Sequence, residues 1–68
     1  MYKTKSKQMI RSFYIRKNGE CYVQYQPPIT KDVGDKIEII TLNMHFKGTI
    51  SDFTKSGVIL KNWKVKNI

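Results

Sequence analysis

The 68-residue chain has one cysteine, Cys21, and no long apolar run. A single thiol excludes an intramolecular disulfide and a paired-thiol metal site, and it indicates a reducing compartment, so we expect a cytoplasmic protein. No apolar stretch approaches the ~20 residues that a membrane-spanning helix needs, and the N-terminus lacks the apolar core of a signal peptide. The sequence therefore predicts no association with membranes.

Side chains that could carry catalysis are equally scarce. The five acids are scattered singly, and the only histidine, His45, has no second His or Cys at the spacing of a metal site. No glycine-rich loop has the pattern that binds phosphate. Cys21 falls on a predicted core face, where a thiol behaves as a small hydrophobic group with a raised pKa. We expect a protein that is not an enzyme and that holds neither a metal nor a cofactor.

Positive charge is abundant, with 13 basic residues against 5 acidic ones and a net charge of +8. The bases are concentrated at the two ends, because residues 1–17 hold six and residues 53–68 hold four, and neither segment contains an acid. If the ends meet in the fold, they form one positive patch. Most of the bases are lysines, which favours diffuse attraction to phosphate over base-specific contacts. The alternative is that the charge only keeps a lysine-rich chain soluble.

From Ile10 onward, short β-branched and aromatic runs alternate with turn signals such as Asn-Gly, Pro-Pro and Ser-Gly, a texture typical of antiparallel β structure. The strongest local signal is a hairpin around Asn18-Gly19. A two-residue Asn-Gly turn would mix apolar and polar side chains on both faces. A three-residue loop at residues 17–19, with Gly19 left-handed as a bulge, instead buries one consistent face.

This register assigns every hairpin side chain to a face. The core face carries Phe13, Ile15, Cys21, Val23 and Tyr25. The outer face carries Ser12, Tyr14, Arg16, Glu20, Tyr22 and Gln24. On the outer face, Tyr14 and Tyr22 form a cross-strand aromatic pair beside an Arg16–Glu20 pair.

The whole pattern predicts an all-β fold, a small five-stranded antiparallel and strongly bent barrel of the SH3-like or Sm-like kind. Residues 10–68 form this single domain. Residues 1–9 are polar and basic, and we interpret them as a flexible arm or a frayed first strand.

Residues 34–62 resemble the first motif of the Sm-like RNA-binding proteins, which include the bacterial RNA chaperone Hfq. The shared pattern is a strand, a short turn, an aromatic-x-Gly strand (Phe46-Lys47-Gly48) and an apolar-x-Leu-x-Asn strand ending at Asn62. The resemblance implies a bent five-stranded barrel that binds RNA, often as a ring. Phe53 is followed by Thr54-Lys55-Ser56-Gly57 in place of the Asp-x-x-x-Asn element of Sm proteins, so the resemblance carries over the barrel shape but no RNA-contacting residue.

Binding of nucleic acid, RNA or DNA with low sequence specificity, is the first functional hypothesis. In such barrels, lysine and arginine follow the phosphates while aromatic side chains stack on bases. The candidate contact residues are Lys3, Lys5, Lys7, Arg11, Tyr14, Arg16, Lys17, Tyr22, Lys61, Lys64 and Lys66. The tyrosine pair either stacks on bases or only stabilises the hairpin. Trp63 is either a second stacking residue or a core residue that alternates with Ile59 and Val65.

The alternative hypothesis is a small protein-interaction module, an adaptor or inhibitor of a larger acidic or nucleic-acid-handling protein. The outer aromatic face or an exposed strand edge would then make the contact. A homo-oligomer built through edge strands is compatible with both hypotheses.

Overall fold

A computed structural model describes residues 2–10 and 13–68. The candidate contact residue Arg11 lies outside the described residues. The elements are all strands: β1 (Tyr2–Lys5), β2 (Phe13–Ile15), β3 (Cys21–Gln24), β4 (Lys36–Ile40), β5 (Met44–Phe53) and β6 (Gly57–Asn67). The all-β prediction is confirmed for this part of the chain, in which no helix has the length and apolar character needed to cross a bilayer.

The six strands form one mixed sheet in the order β1-β4-β5-β6-β3-β2. Four neighbouring pairs are antiparallel, and β1 runs parallel to β4. The prediction of five antiparallel strands closed into a barrel is therefore wrong in detail, because the described residues form six strands in an open sheet, with β1 and β2 at its two edges.

The extra strand comes from the segment that we interpreted as a flexible basic arm or a frayed first strand. Residues 2–5 pair with β4 from Tyr2↔Ile37 to Lys5↔Ile40. Tyr2 is half-buried against the core while the flanking lysine is exposed, the alternation of an edge strand with one covered face. Only one of its four residues is strongly apolar, so the alternation did not stand out in the sequence.

The sheet bends sharply around its core. An 11-residue strand such as β6, if straight, would extend roughly 33 Å, yet the largest dimension of the molecule is 26 Å. Shifts in the β5–β6 register between Lys47 and Thr49 and between Ile50 and Asp52 produce the bend. The fully buried side chains inside it are Phe46, Ile37, Ile39, Ile50, Leu60, Val23, Val58 and Cys21.

Gly48 lies at the first of these shifts. A Cβ atom at this position would lie 3.2 Å from the Cβ of Leu60 and 3.2 Å from the carbonyl oxygen of Lys61. The missing side chain lets β6 approach β5 at the bend. Across from Gly48, Asn62 takes a left-handed φ of 51°.

The hairpin register is confirmed residue for residue, with Phe13↔Val23, Tyr14↔Tyr22 and Ile15↔Cys21 paired. Gly19 has a φ of 87°, in the left-handed region where glycine carries no steric penalty. One detail is wrong, because Ile15 is 58% exposed rather than buried. It ends an edge strand, so it has a neighbouring strand on one side only.

Candidate functional site

A row of charged side chains crosses four strands on the outer face of the sheet. Lys3 of β1 pairs with Glu38 of β4, Glu38 pairs with Lys47 of β5, and Lys47 pairs with Lys64 of β6. Cross-strand partners point to the same face, so the four side chains are consecutive neighbours. With strands ~4.8 Å apart, the row spans roughly 14 Å.

Two further rows flank this one. They are Lys5–Ile40–His45–Lys66 on one side and Lys36–Thr49–Lys61 on the other. We call the seven exposed lysines of the three rows the lysine face: Lys3, Lys5, Lys36, Lys47, Lys61, Lys64 and Lys66. The three rows contain only one acid, Glu38.

Five of these lysines were candidates from the sequence, and the other two were missed. Strands β1 and β6, which lie near the two ends of the chain, share a face but are not neighbours, because β4 and β5 lie between them. Lys36 and Lys47 join them across that gap. Both lie in the middle of the chain, where five acids outnumber three bases. The signal that could have found them is alternation, because each lysine is next to an apolar residue of the core and therefore points to the opposite face of its strand.

Glu38 is the centre of the lysine face and is only 5% exposed. Its Oε1 lies 3.2 Å from His45 Nε2 and 3.4 Å from Lys47 Nζ, and its Oε2 lies 3.7 Å from Lys3 Nζ. Burial raises the pKa of Glu38 by desolvation, but the hydrogen bonds from Lys47 and His45 and the charge of Lys3 outweigh this and lower it overall. No local pattern in the sequence indicates this cluster, because its members lie on three different strands.

Two adjoining concavities open on the lysine face. The first has a volume of about 260 Å³, and the second a volume of about 360 Å³. His45, Lys47, Lys64, Val65 and Lys66 line the first, and Lys36, Lys47, Gly48, Thr49, Asn62 and Lys64 line the second. The two share Lys47 and Lys64, so these two side chains form the boundary between them.

The predicted aromatic pair lies elsewhere, on the β2–β3 hairpin. The ring centroids of Tyr14 and Tyr22 are 5.0 Å apart, with the planes tilted by 31°. Tyr14 is 59% exposed. Tyr22 is half-buried, and its hydroxyl is hydrogen-bonded to the hydroxyl of Ser56 in the β5–β6 turn. Tyr22 therefore stabilises the packing of the hairpin, and only Tyr14 presents a free ring surface.

The charges of the hairpin are largely satisfied within it. Arg16 lies 3.4 Å from Glu20, as the register predicted. Glu20 also accepts hydrogen bonds from the side chains of Ser51 and Asn18, and these bonds, with the nearby Arg16 and Lys61, lower its pKa. Arg16 is thus a weaker candidate for phosphate contact than the lysine face.

The remaining candidates are dispersed. Lys7 follows β1 and Lys17 lies in the hairpin turn, both exposed. Trp63 packs against the core, and its Nε1 donates a hydrogen bond to the carbonyl oxygen of Gly19 at 2.9 Å. The core alternative for Trp63 is therefore the one that its contacts support.

Comparisons with known protein families, with curated proteins and with solved structures return no match to this chain. The resemblance of residues 34–62 to Sm-like proteins therefore stays a prediction. Within residues 2–10 and 13–68, no group of three or more His, Cys, Asp and Glu side chains is arranged to hold a metal ion.

Proposed function

We propose that the protein is a non-enzymatic nucleic-acid-binding domain whose lysine face contacts the phosphate backbone. The observation that supports this most directly is the clustering of seven exposed lysines in three adjoining rows around one acid. That acid is already paired with Lys3, His45 and Lys47 and so offers little to repel a polyanion.

Lysine side chains bind phosphate as flexible point charges and carry little sequence information. We therefore expect weak sequence preference and a strong dependence on salt. If five to seven lysines each neutralise one phosphate, log K falls with log salt with a slope of about −3.5 to −5 for a single strand. Raising salt fourfold then weakens binding by roughly 100- to 1,000-fold.

Solubility alone explains the clustering less well. Dispersed charge keeps a protein soluble without placing like charges together. Here Lys47 lies directly opposite Lys64. Like charges at opposed sheet positions destabilise the pairing, so a face with this arrangement gains from a bound anion.

The test compares two double variants with equal net charge. Lys64→Gln/Lys66→Gln removes two charges from the lysine face. Lys31→Gln/Lys55→Gln removes two from elsewhere, since Lys31 lies over the ring of Tyr2 and Lys55 lies in the β5–β6 turn. Fluorescence anisotropy with labelled single-stranded RNA, single-stranded DNA and duplex gives affinity and salt slope for each.

We expect the face variant to bind more weakly and to lose about 1.4 from the magnitude of its single-strand salt slope, with the control close to the wild-type protein. Equal losses in both variants would show that only net charge matters. If the wild-type protein binds none of the three probes at low salt, the proposed function is wrong.

A protein-interaction module is the second candidate, and one observation favours it. Edge strand β2 exposes Tyr14 and Ile15 by 59% and 58%, an apolar edge of the kind that pairs with an extended segment of another chain. Light scattering across a dilution series checks whether a second copy is that partner. A mass that is independent of concentration and unchanged in Ile15→Lys would argue against self-pairing.

A further inference from the structure

We propose that the His45-lined concavity of the lysine face seats one unpaired nucleobase, so that the domain prefers single-stranded to duplex nucleic acid. This inference rests on the proposed function and adds a ligand subsite to it. It concerns the concavity of about 260 Å³, which has an aromatic ring in its lining and lysines around it.

The ring of His45 is held in place from one side. Its Nε2 lies 3.2 Å from Glu38 Oε1, and Glu38 is itself fixed by Lys47 and Lys3. The side chain of His45 is only 19% exposed, so little rotational freedom remains to be lost when a ligand binds. His45 therefore contributes an imidazole of restricted mobility to the lining surface of the concavity.

The surroundings supply positive charge on both sides of that surface. Lys66 lies directly opposite His45 on β6, and Lys47 follows two residues along β5 on the same face. Lys64 completes the rim, opposite Lys47. Phosphates on either side of a seated nucleotide would each meet a lysine, while the base would lie against the imidazole and the aliphatic lysine stems.

The chemistry of a base explains the expected preference. Histidine is one of the side chains on which splayed-out bases stack in RNA recognition. In a duplex, both faces of every base are covered by neighbouring base pairs, so a base reaches such a surface only after it leaves the stack. A duplex can still place phosphates on the lysines, but it cannot fill the concavity.

Two substitutions distinguish the contribution of the His45 ring from that of its hydrogen bond to Glu38. His45→Gln keeps a donor for Glu38 but removes the aromatic surface, and His45→Phe keeps a ring but removes the donor. Both are titrated by anisotropy against single-stranded oligo-dT, single-stranded oligo-U and a duplex of equal length, with circular dichroism confirming that each variant is folded.

We expect His45→Gln to lose roughly 5- to 150-fold in affinity for both single strands, the range that stacking of one base covers. Its affinity for duplex and its salt slope should stay at the wild-type values, because no phosphate contact is lost. His45→Phe should retain most of the single-strand affinity. Because the proposed contact is with the face of the base and not with the sugar, oligo-dT and oligo-U should respond alike.

The inference is overturned if His45→Gln binds single strands as the wild-type protein does, or if single-strand and duplex affinities fall together. In either case, salt-dependent binding by the wild-type protein would leave the proposed function standing. Failure of the wild-type protein to bind any probe would instead remove both.

Discussion

Trp63 offers the sharpest test of whether an aromatic side chain here supports the fold or contacts a ligand. It is the only tryptophan in the chain, it packs against the core, and its indole donates to the carbonyl oxygen of Gly19. This bond joins β6 to the turn of the β2–β3 hairpin. We expect Trp63→Phe to lower stability while leaving nucleic-acid affinity unchanged.

The magnitude follows from what the substitution removes. A typical hydrogen bond contributes about 0.5–1.5 kcal/mol, and the exposed Gly19 carbonyl regains water when its donor is lost, so we expect a loss of about 1 kcal/mol. For a domain of this size, that corresponds to a fall of roughly 4–8 °C in Tm. A 68-residue protein has about 3–10 kcal/mol of total stability, so the change is a large fraction of it.

Urea and thermal unfolding followed by circular dichroism measure the stability change, and anisotropy with single-stranded DNA measures binding. Tyr14→Phe is a matched control, because it alters an exposed aromatic outside the core. The structural role would be refuted by a Trp63→Phe protein that is as stable as the wild-type protein yet binds nucleic acid more weakly. That result would make Trp63 a contact residue.

Three further outcomes test other parts of the structure. Gly57→Ala should destabilise the protein by about 1–3 kcal/mol in urea unfolding, because the added Cβ would collide with the backbone carbonyl of Val23; unchanged stability would mean that β3 and β6 are not this close. The pKa values of Glu38 and Glu20 in the folded protein lie below the ordinary 4.5. The two carboxylates therefore stabilise the fold fully above pH 4.5, and this stabilisation is lost as the pH falls through their lowered pKa values. A Tm that does not fall on acidification below pH 4.5 would contradict this. Burial raises the pKa of Cys21 to about 11, so a chromogenic thiol reagent at neutral pH should react only in denaturant, and rapid labelling of the folded protein would argue against the core.

The hairpin could be predicted from the sequence because its determinants are local. A three-residue loop and the need to bury one face fix the register, and neither depends on distant parts of the chain. Phe13 accordingly pairs with Val23, and Tyr14 pairs with Tyr22, as expected. The alternation of apolar and polar residues did not predict the exposure of Ile15, which has an apolar side chain but ends an edge strand.

The sheet order and most of the candidate site depend on long-range pairing, which local patterns do not specify. The parallel pairing of β1 with β4 joins segments more than 30 residues apart and decides that Lys3 meets Glu38. The distribution of charge along the chain indicated a basic surface only at its two ends. It could not show that Lys36 and Lys47, in the slightly acidic middle, complete the same surface.

Glu38 indicates how a surface with so many like charges folds at all. The pairing of Lys47 with Lys64 is unfavourable by itself, and one carboxylate that contacts Lys47 and Lys3 offsets part of that repulsion. It lies beneath the surface, at 5% exposure, so the outward charge of the lysines remains available. A polyanion bound above the lysines would reduce the repulsion among them that Glu38 does not offset. A ligand that binds only the folded state also raises the stability of the protein. Nucleic acid at low salt should therefore raise the Tm of the wild-type protein, and it should raise the Tm of the Lys64→Gln variant by less. An equal rise in Tm for the two proteins would place the contact elsewhere.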